Sequence, residues 1–163
     1  MNAILLSRYL DTNGDGTGTK NANGNYAGAV EEFYIEAQAG ESLTLTRMLV
    51  AIEDTGGGTV QEYGNIGSAL TNGVTVTVEN EHGTVLMDLT DAVPVTTNAH
   101  WAQLCYDVNW LDKGSGNDLI AVRWTFAKSG QPIKLEEGQR LIVSVNDNLT
   151  GLVSHYFLVQ GTY

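Results

Sequence analysis

Apolar and polar residues alternate with a period of two along much of this chain. Val74, Val76 and Val78 are separated by threonines, Phe33, Ile35 and Ala37 by Tyr34 and Glu36, and Leu43 and Leu45 by Thr44. Successive side chains of an extended strand point to opposite faces, so this alternation predicts strands with one face in a core. The third pattern runs on into Met48-Leu49-Val50-Ala51-Ile52, and further apolar runs cover 84–89, 103–108, 119–127, 139–145 and 153–160. A short strand is expected around 3–10. Turn signals separate the runs at Gly56-Gly57-Gly58, Glu81-His82-Gly83, Gly114-Ser115-Gly116-Asn117 and Ser129-Gly130. No window carries a sustained helical stripe; two short helical turns are expected, near 63–70 and 98–103.

Eight or more antiparallel strands with turns at short intervals predict an all-β, jelly-roll-like β-sandwich. An internal echo supports that topology. Gly40-Glu41-Ser42-Leu43-Thr44-Leu45 and Gly138-Gln139-Arg140-Leu141-Ile142-Val143 each place a glycine and two polar residues before an apolar alternation. A jelly roll has two interlocked Greek keys, so a lead-in used twice fits it. Residues 11–28, rich in Gly, Asn and Thr, are expected to form a flexible loop or arm. The expected organisation is an N-terminal strand and arm over 1–30, followed by a sandwich domain over 31–163.

At 163 residues the chain can bury roughly 70% of its unfolded surface and needs no metal or disulfide to fold. Charged residues make up 17%, below the usual ~25%, yet the net charge is −11. That charge repels phosphate backbones and anionic lipid head groups, so nucleic acid and membrane are not expected partners. The first six residues lack a basic region and Arg8 interrupts the apolar run, so neither a signal peptide nor a membrane span is expected there, and synthesis in a cytoplasm is. Cys105, the lone cysteine, lies among apolar residues expected in a strand and reads as a buried small hydrophobe.

Several strings in the second half are more distinctive: Leu70-Thr71-Asn72-Gly73-Val74, Asp88-Leu89-Thr90-Asp91, Thr97-Asn98-Ala99-His100-Trp101-Ala102, Arg123-Trp124-Thr125-Phe126 and Asp147-Asn148-Leu149-Thr150-Gly151-Leu152. With the closing His155-Tyr156-Phe157-Leu158-Val159-Gln160-Gly161-Thr162-Tyr163, they cover roughly 37–163. Over that span the chain resembles the small β-sandwich virion proteins of tailed bacteriophages, especially capsid decoration (cement) proteins. The resemblance implies a jelly-roll-like fold, a homo-oligomer (often a trimer), a place on the capsid exterior against the major capsid protein, and stabilisation of the head without a cofactor.

Candidate chemistry is sparse. Asp11-Thr12-Asn13-Gly14-Asp15-Gly16 matches the start of a calcium loop, with Asp11, Asn13 and Asp15 as oxygen ligands. The bidentate carboxylate of such a loop would fall at Ala22, so Thr17 and either Glu31 or Glu32 would have to complete the shell. The alternative is a polar loop using Asn, Asp and Gly for left-handed backbone. His82, His100 and His155 lack metal-ligand spacing. Ser154 and His155 are neighbours in a strand and face opposite ways, so they are not a nucleophile and its base. No hydrolase elbow, phosphate loop or zinc-protease motif occurs, and no catalytic residue is assigned.

The main alternative to a decoration protein is a carbohydrate- or receptor-binding sandwich of a head fibre or tail. Trp101, Trp110 and Trp124, with Tyr63, Tyr106 and Tyr156, are its candidate sugar platforms, Trp124 reading as core, Trp101 as packed under a loop and Trp110, before a turn, as the exposed one. Partner contacts are expected from Asn13, Asn21 and Tyr26 in the arm, and from Trp110. Asn148-Leu149-Thr150 fits a glycosylation pattern, which carries no weight without a secretory signal.

Overall fold

In the computed structural model, which describes residues 4–18, 20–112, 114, 116–126 and 131–163, the chain is almost entirely β. The strands are β1 (Leu5–Tyr9), β2 (Glu31–Glu36), β3 (Leu43–Thr55), β4 (Val74–Glu79), β5 (Val85–Asp88), β6 (Val108–Asp112), β7 (Asn117–Thr125), β8 (Ile133–Leu135), β9 (Arg140–Val145) and β10 (Ser154–Thr162). One helix, α1 (Asn98–Cys105), interrupts them. The turns expected at Ser129-Gly130 and Ser115, and the ends of runs at Ala3 and Ala127, lie outside the described residues.

The strands form two sheets. One has the order β1-β10-β3-β7-β6 with β8 also on β3; the other has the order β2-β9-β4-β5. Every pairing is antiparallel, and the pairs are nested: β1 with β10, β2 with β9, β3 with β7, β4 with β5. Nested pairing of this kind is a long hairpin rolled up on itself, the jelly roll that the alternation predicts. The repeated lead-ins open the central strands. Gly40 precedes β3 and Gly138 precedes β9, both with left-handed backbone (φ 77° and 78°).

Inward faces follow the period of two. Val74, Val76 and Val78 are buried beneath outward threonines, and His155, Phe157, Val159 and Gly161 are buried along β10. They meet Phe33, Ile35, Met48, Val50, Ile52, Leu141 and Val143 in one core. Where β10 steps past β3, the register shifts between Gln160 and Gly161. A Cβ at Gly161 would stand 2.0 Å from the Thr44 carbonyl oxygen, so only glycine lets these backbones approach.

Two expectations change. Leu104 and Cys105 end α1 rather than lying in a strand, although Cys105 is buried as expected. Thr97 caps the helix by accepting the His100 N–H (3.0 Å), and Trp101 is driven inward onto Trp124, ring centroids 6.0 Å apart. No helical turn forms at 63–70, because Gly64 and Gly67 take positive φ (58° and 85°). β1 is a strand of the sandwich, and the loop after it is tied to both sheets by Leu10 N–H to Phe157 O (2.9 Å), Tyr34 N–H to Asp11 O (2.8 Å) and Ala22 N–H to His155 O (2.6 Å).

Candidate functional site

The 11–18 loop folds around its own carboxylates. Asp11 is fully buried; its Oδ1 accepts the N–H groups of Asn13 (3.2 Å) and Gly14 (2.6 Å), and its Oδ2 that of Gly18 (2.9 Å). Asp15 Oδ1 accepts both the N–H (2.7 Å) and the hydroxyl (2.5 Å) of Thr17, and its Oδ2 accepts Asn13 Nδ2 (3.2 Å). The Thr17 hydroxyl and amide hold the Asp15 carboxyl below its ordinary range. The structure therefore brings Asp11, Asn13 and Asp15 together, but their oxygens serve the loop's own donors. The expected completion by Glu31 or Glu32 does not fit. Gly14 O accepts the Glu36 N–H (3.0 Å), so the loop turns toward the other end of β2. Among the described residues, no group of three or more His, Cys, Asp or Glu side chains is placed to hold a metal ion.

Other acids do the same work at the remaining turns. Asp147 accepts the N–H groups of Thr71 (2.8 Å), Asn72 (3.1 Å) and Gly73 (2.7 Å), joining two loops that are more than 70 residues apart. Glu62 receives Thr59 N–H and Gly67 N–H, both at 2.6 Å, and Asp54 receives Asn65 N–H at 2.7 Å. At Asp88 burial works to raise the carboxyl pKa, but hydrogen bonds from Thr90, Ala92 and Asp91 outweigh it and hold it low. Part of the negative charge is thus internal scaffolding for glycine-rich loops.

His155 is fully buried. Its Nδ1 lies 2.8 Å from the Ala51 carbonyl, which can only accept, so Nδ1 carries the proton. Nε2 then accepts the Tyr63 hydroxyl at 2.6 Å, and the Tyr63 oxygen in turn receives the Trp101 indole N–H at 3.3 Å. Burial pushes the imidazole pKa down to about 4 and pushes the Tyr63 phenol up. All three side chains are closed off from solvent, so this relay locks α1 and the 59–67 loop onto the sandwich. Ser154 faces the other way, its hydroxyl on Glu53 (3.1 Å).

The expected partner residues divide. Asn21 and Tyr26 are used internally. Asn21 Oδ1 accepts the His155 N–H (2.9 Å), while the Tyr26 ring packs edge-on against Phe33 (5.9 Å) and its hydroxyl accepts the Gly24 N–H (3.1 Å). Asn13 is exposed. Trp110 is 41% exposed on the edge strand β6, its ring laid over Gly57 and its N–H on Asp118 (3.3 Å). Trp101 and Trp124 belong to the core.

The alternation did not mark one run of exposed apolar residues. On β5, the outer strand of the four-stranded sheet, Val85, Leu86 and Met87 are 52%, 51% and 50% exposed in succession. Among the described residues its outer edge is unpaired, and a strand with both faces apolar and one edge unpaired is a ready surface for another chain. No protein-family model matches this chain, and neither do the curated proteins or the solved structures.

Proposed function

We propose that this chain is a non-catalytic virion structural protein: a decoration protein that binds the outside of a tailed-phage head as a homo-oligomer, a trimer, and stabilises it by bridging major capsid protein subunits. The observation that carries the reading is the β5 edge. Three consecutive exposed apolar residues beside a backbone edge that is unpaired among the described residues favour association in a chain otherwise strongly acidic. The jelly-roll framework fits a role of packing against neighbours, and loops braced by Asp11, Glu62 and Asp147 present a fixed surface without chemistry. The resemblance over 37–163 supplies the partner.

The test uses purified protein and undecorated phage heads. The protein is expected to adsorb at a fixed stoichiometry and raise the temperature at which heads rupture. Leu86→Lys is expected to abolish both effects while leaving the protein's own melting temperature unchanged. Wild-type protein that neither adsorbs nor protects overturns the reading.

A further inference from the structure

Arg47 and Arg123 lie on the outward face of the six-stranded sheet, beside a groove of about 560 Å³ bordered by β1, β10, β3 and β7. Strand register brings them together. Arg47 pairs with Thr125, and Arg123 stands two residues along β7 on the same face. Diagonal neighbours of this kind sit about 7–8 Å apart, and like charges so placed repel. The chain has 8 Lys and Arg against 19 Asp and Glu, so two adjacent cations run against its overall charge.

Among the described residues one carboxylate answers them. Asp107 bonds Arg123 Nε at 2.7 Å. Among the described residues Arg47 makes no ion pair; its Nε donates instead to the neutral Oε1 of Gln160. Glu53, on the same strand, is six residues away, about 20 Å. The groove therefore keeps one surplus positive charge, carried by a guanidinium that a neutral amide orients.

The same cross-strand row runs Ser7, Gln160, Arg47, Thr125. Two hydroxyls and the Gln160 Nε2 donors thus flank the arginines. Leu5, 84% exposed, adds an apolar surface at the rim. The volume suits a small ligand. A single surplus charge inside an acidic protein favours a monoanion over a doubly charged phosphate. A bare carboxylate would engage the arginines and leave the hydroxyl row idle; a carboxylate on a polyhydroxylated ring engages both.

We infer that this groove binds an acidic sugar, a hexuronate whose carboxylate is held by Arg47 and Arg123 and whose hydroxyls meet Ser7, Thr125 and Gln160. The site is separate from the β5 edge and stands whether or not the chain coats a capsid.

D-galacturonate, D-galactose and acetate would each be titrated into the protein at low salt, followed by calorimetry and by backbone amide shifts. Galacturonate is expected to bind at least tenfold more tightly than either of the others, with shifts centred on residues 5–7, 46–47, 123–125 and 160. Arg47→Gln, which removes an exposed side chain that forms no ion pair among the described residues, is expected to weaken binding at least tenfold without changing the melting temperature; Trp110→Ala is expected to leave it intact. Polygalacturonate distinguishes the sources: a gain beyond tenfold over the monosaccharide assigns the site to a polymer, and an equal affinity per residue assigns it to the free sugar. Equal binding of galactose or acetate, undiminished binding by Arg47→Gln, or shifts elsewhere on the surface would each overturn the proposal.

Discussion

Lowering the pH from 7.5 to 5.0 is expected to destabilise this protein through a single side chain, His155. The imidazole is fully buried between the Ala51 carbonyl and the Tyr63 hydroxyl, and its pKa in the folded protein is about 4. In the unfolded chain the value returns to about 6.5. The folded pKa is the lower of the two, so the unfolded state binds the proton more readily. Stability is complete above about pH 6.5, falls as the pH drops below it, and levels off near pH 4. The full difference, about 2.5 pKa units at 1.36 kcal/mol each, is roughly 3 kcal/mol; at pH 5 about 2 kcal/mol is already lost. Urea unfolding followed by tryptophan fluorescence measures it directly, since Trp101 and Trp124 are buried beside the relay. His155→Gln removes the titrating group. It lowers stability at every pH but is expected to flatten the slope between pH 4 and 6.5. A wild-type loss below about 0.5 kcal/mol between pH 7.5 and 5.0, or an unchanged slope in His155→Gln, would refute the reasoning.

Three further outcomes are expected. Asp147→Ala strips the acceptor from the amides of Thr71, Asn72 and Gly73, and should cost about 3 kcal/mol in chemical denaturation; a loss under 1 kcal/mol would mean water replaces the carboxylate. Gly161→Ala drives a methyl into the Thr44 carbonyl and should cost about 1–3 kcal/mol, read as a lowered melting temperature. Calcium is expected to leave the melting temperature unchanged, because the Asp11 and Asp15 oxygens already serve internal donors. An ion present at a hundred times its dissociation constant would add about 2.7 kcal/mol, so a clear rise would show the loop trading its own hydrogen bonds for the metal.

The order of apolar and polar residues along the chain determined much of its architecture by itself. Alternating valines and threonines at 74–78 can bury an apolar face only as a strand, and the paired glycine lead-ins before β3 and β9 announce two central strands. The opposite orientations of Ser154 and His155, the burial of Trp124 and the exposure of Trp110 follow from local geometry, because a period of two is a property of neighbouring residues. What local pattern cannot carry is who meets whom across the fold. Tyr63 reaches His155 over 92 positions, and Asp147 reaches Gly73 over 74. The acids that looked like exterior charge turned inward for that reason: glycine-rich turns leave amide N–H groups unpaired, and a carboxylate brought alongside by the jelly-roll winding satisfies several at once. The exposure of Val85, Leu86 and Met87 and the meeting of Arg47 with Arg123 were likewise decided by strand order and register. Which strand becomes an edge, and which residues stand diagonal to one another, is set only when the two sheets close.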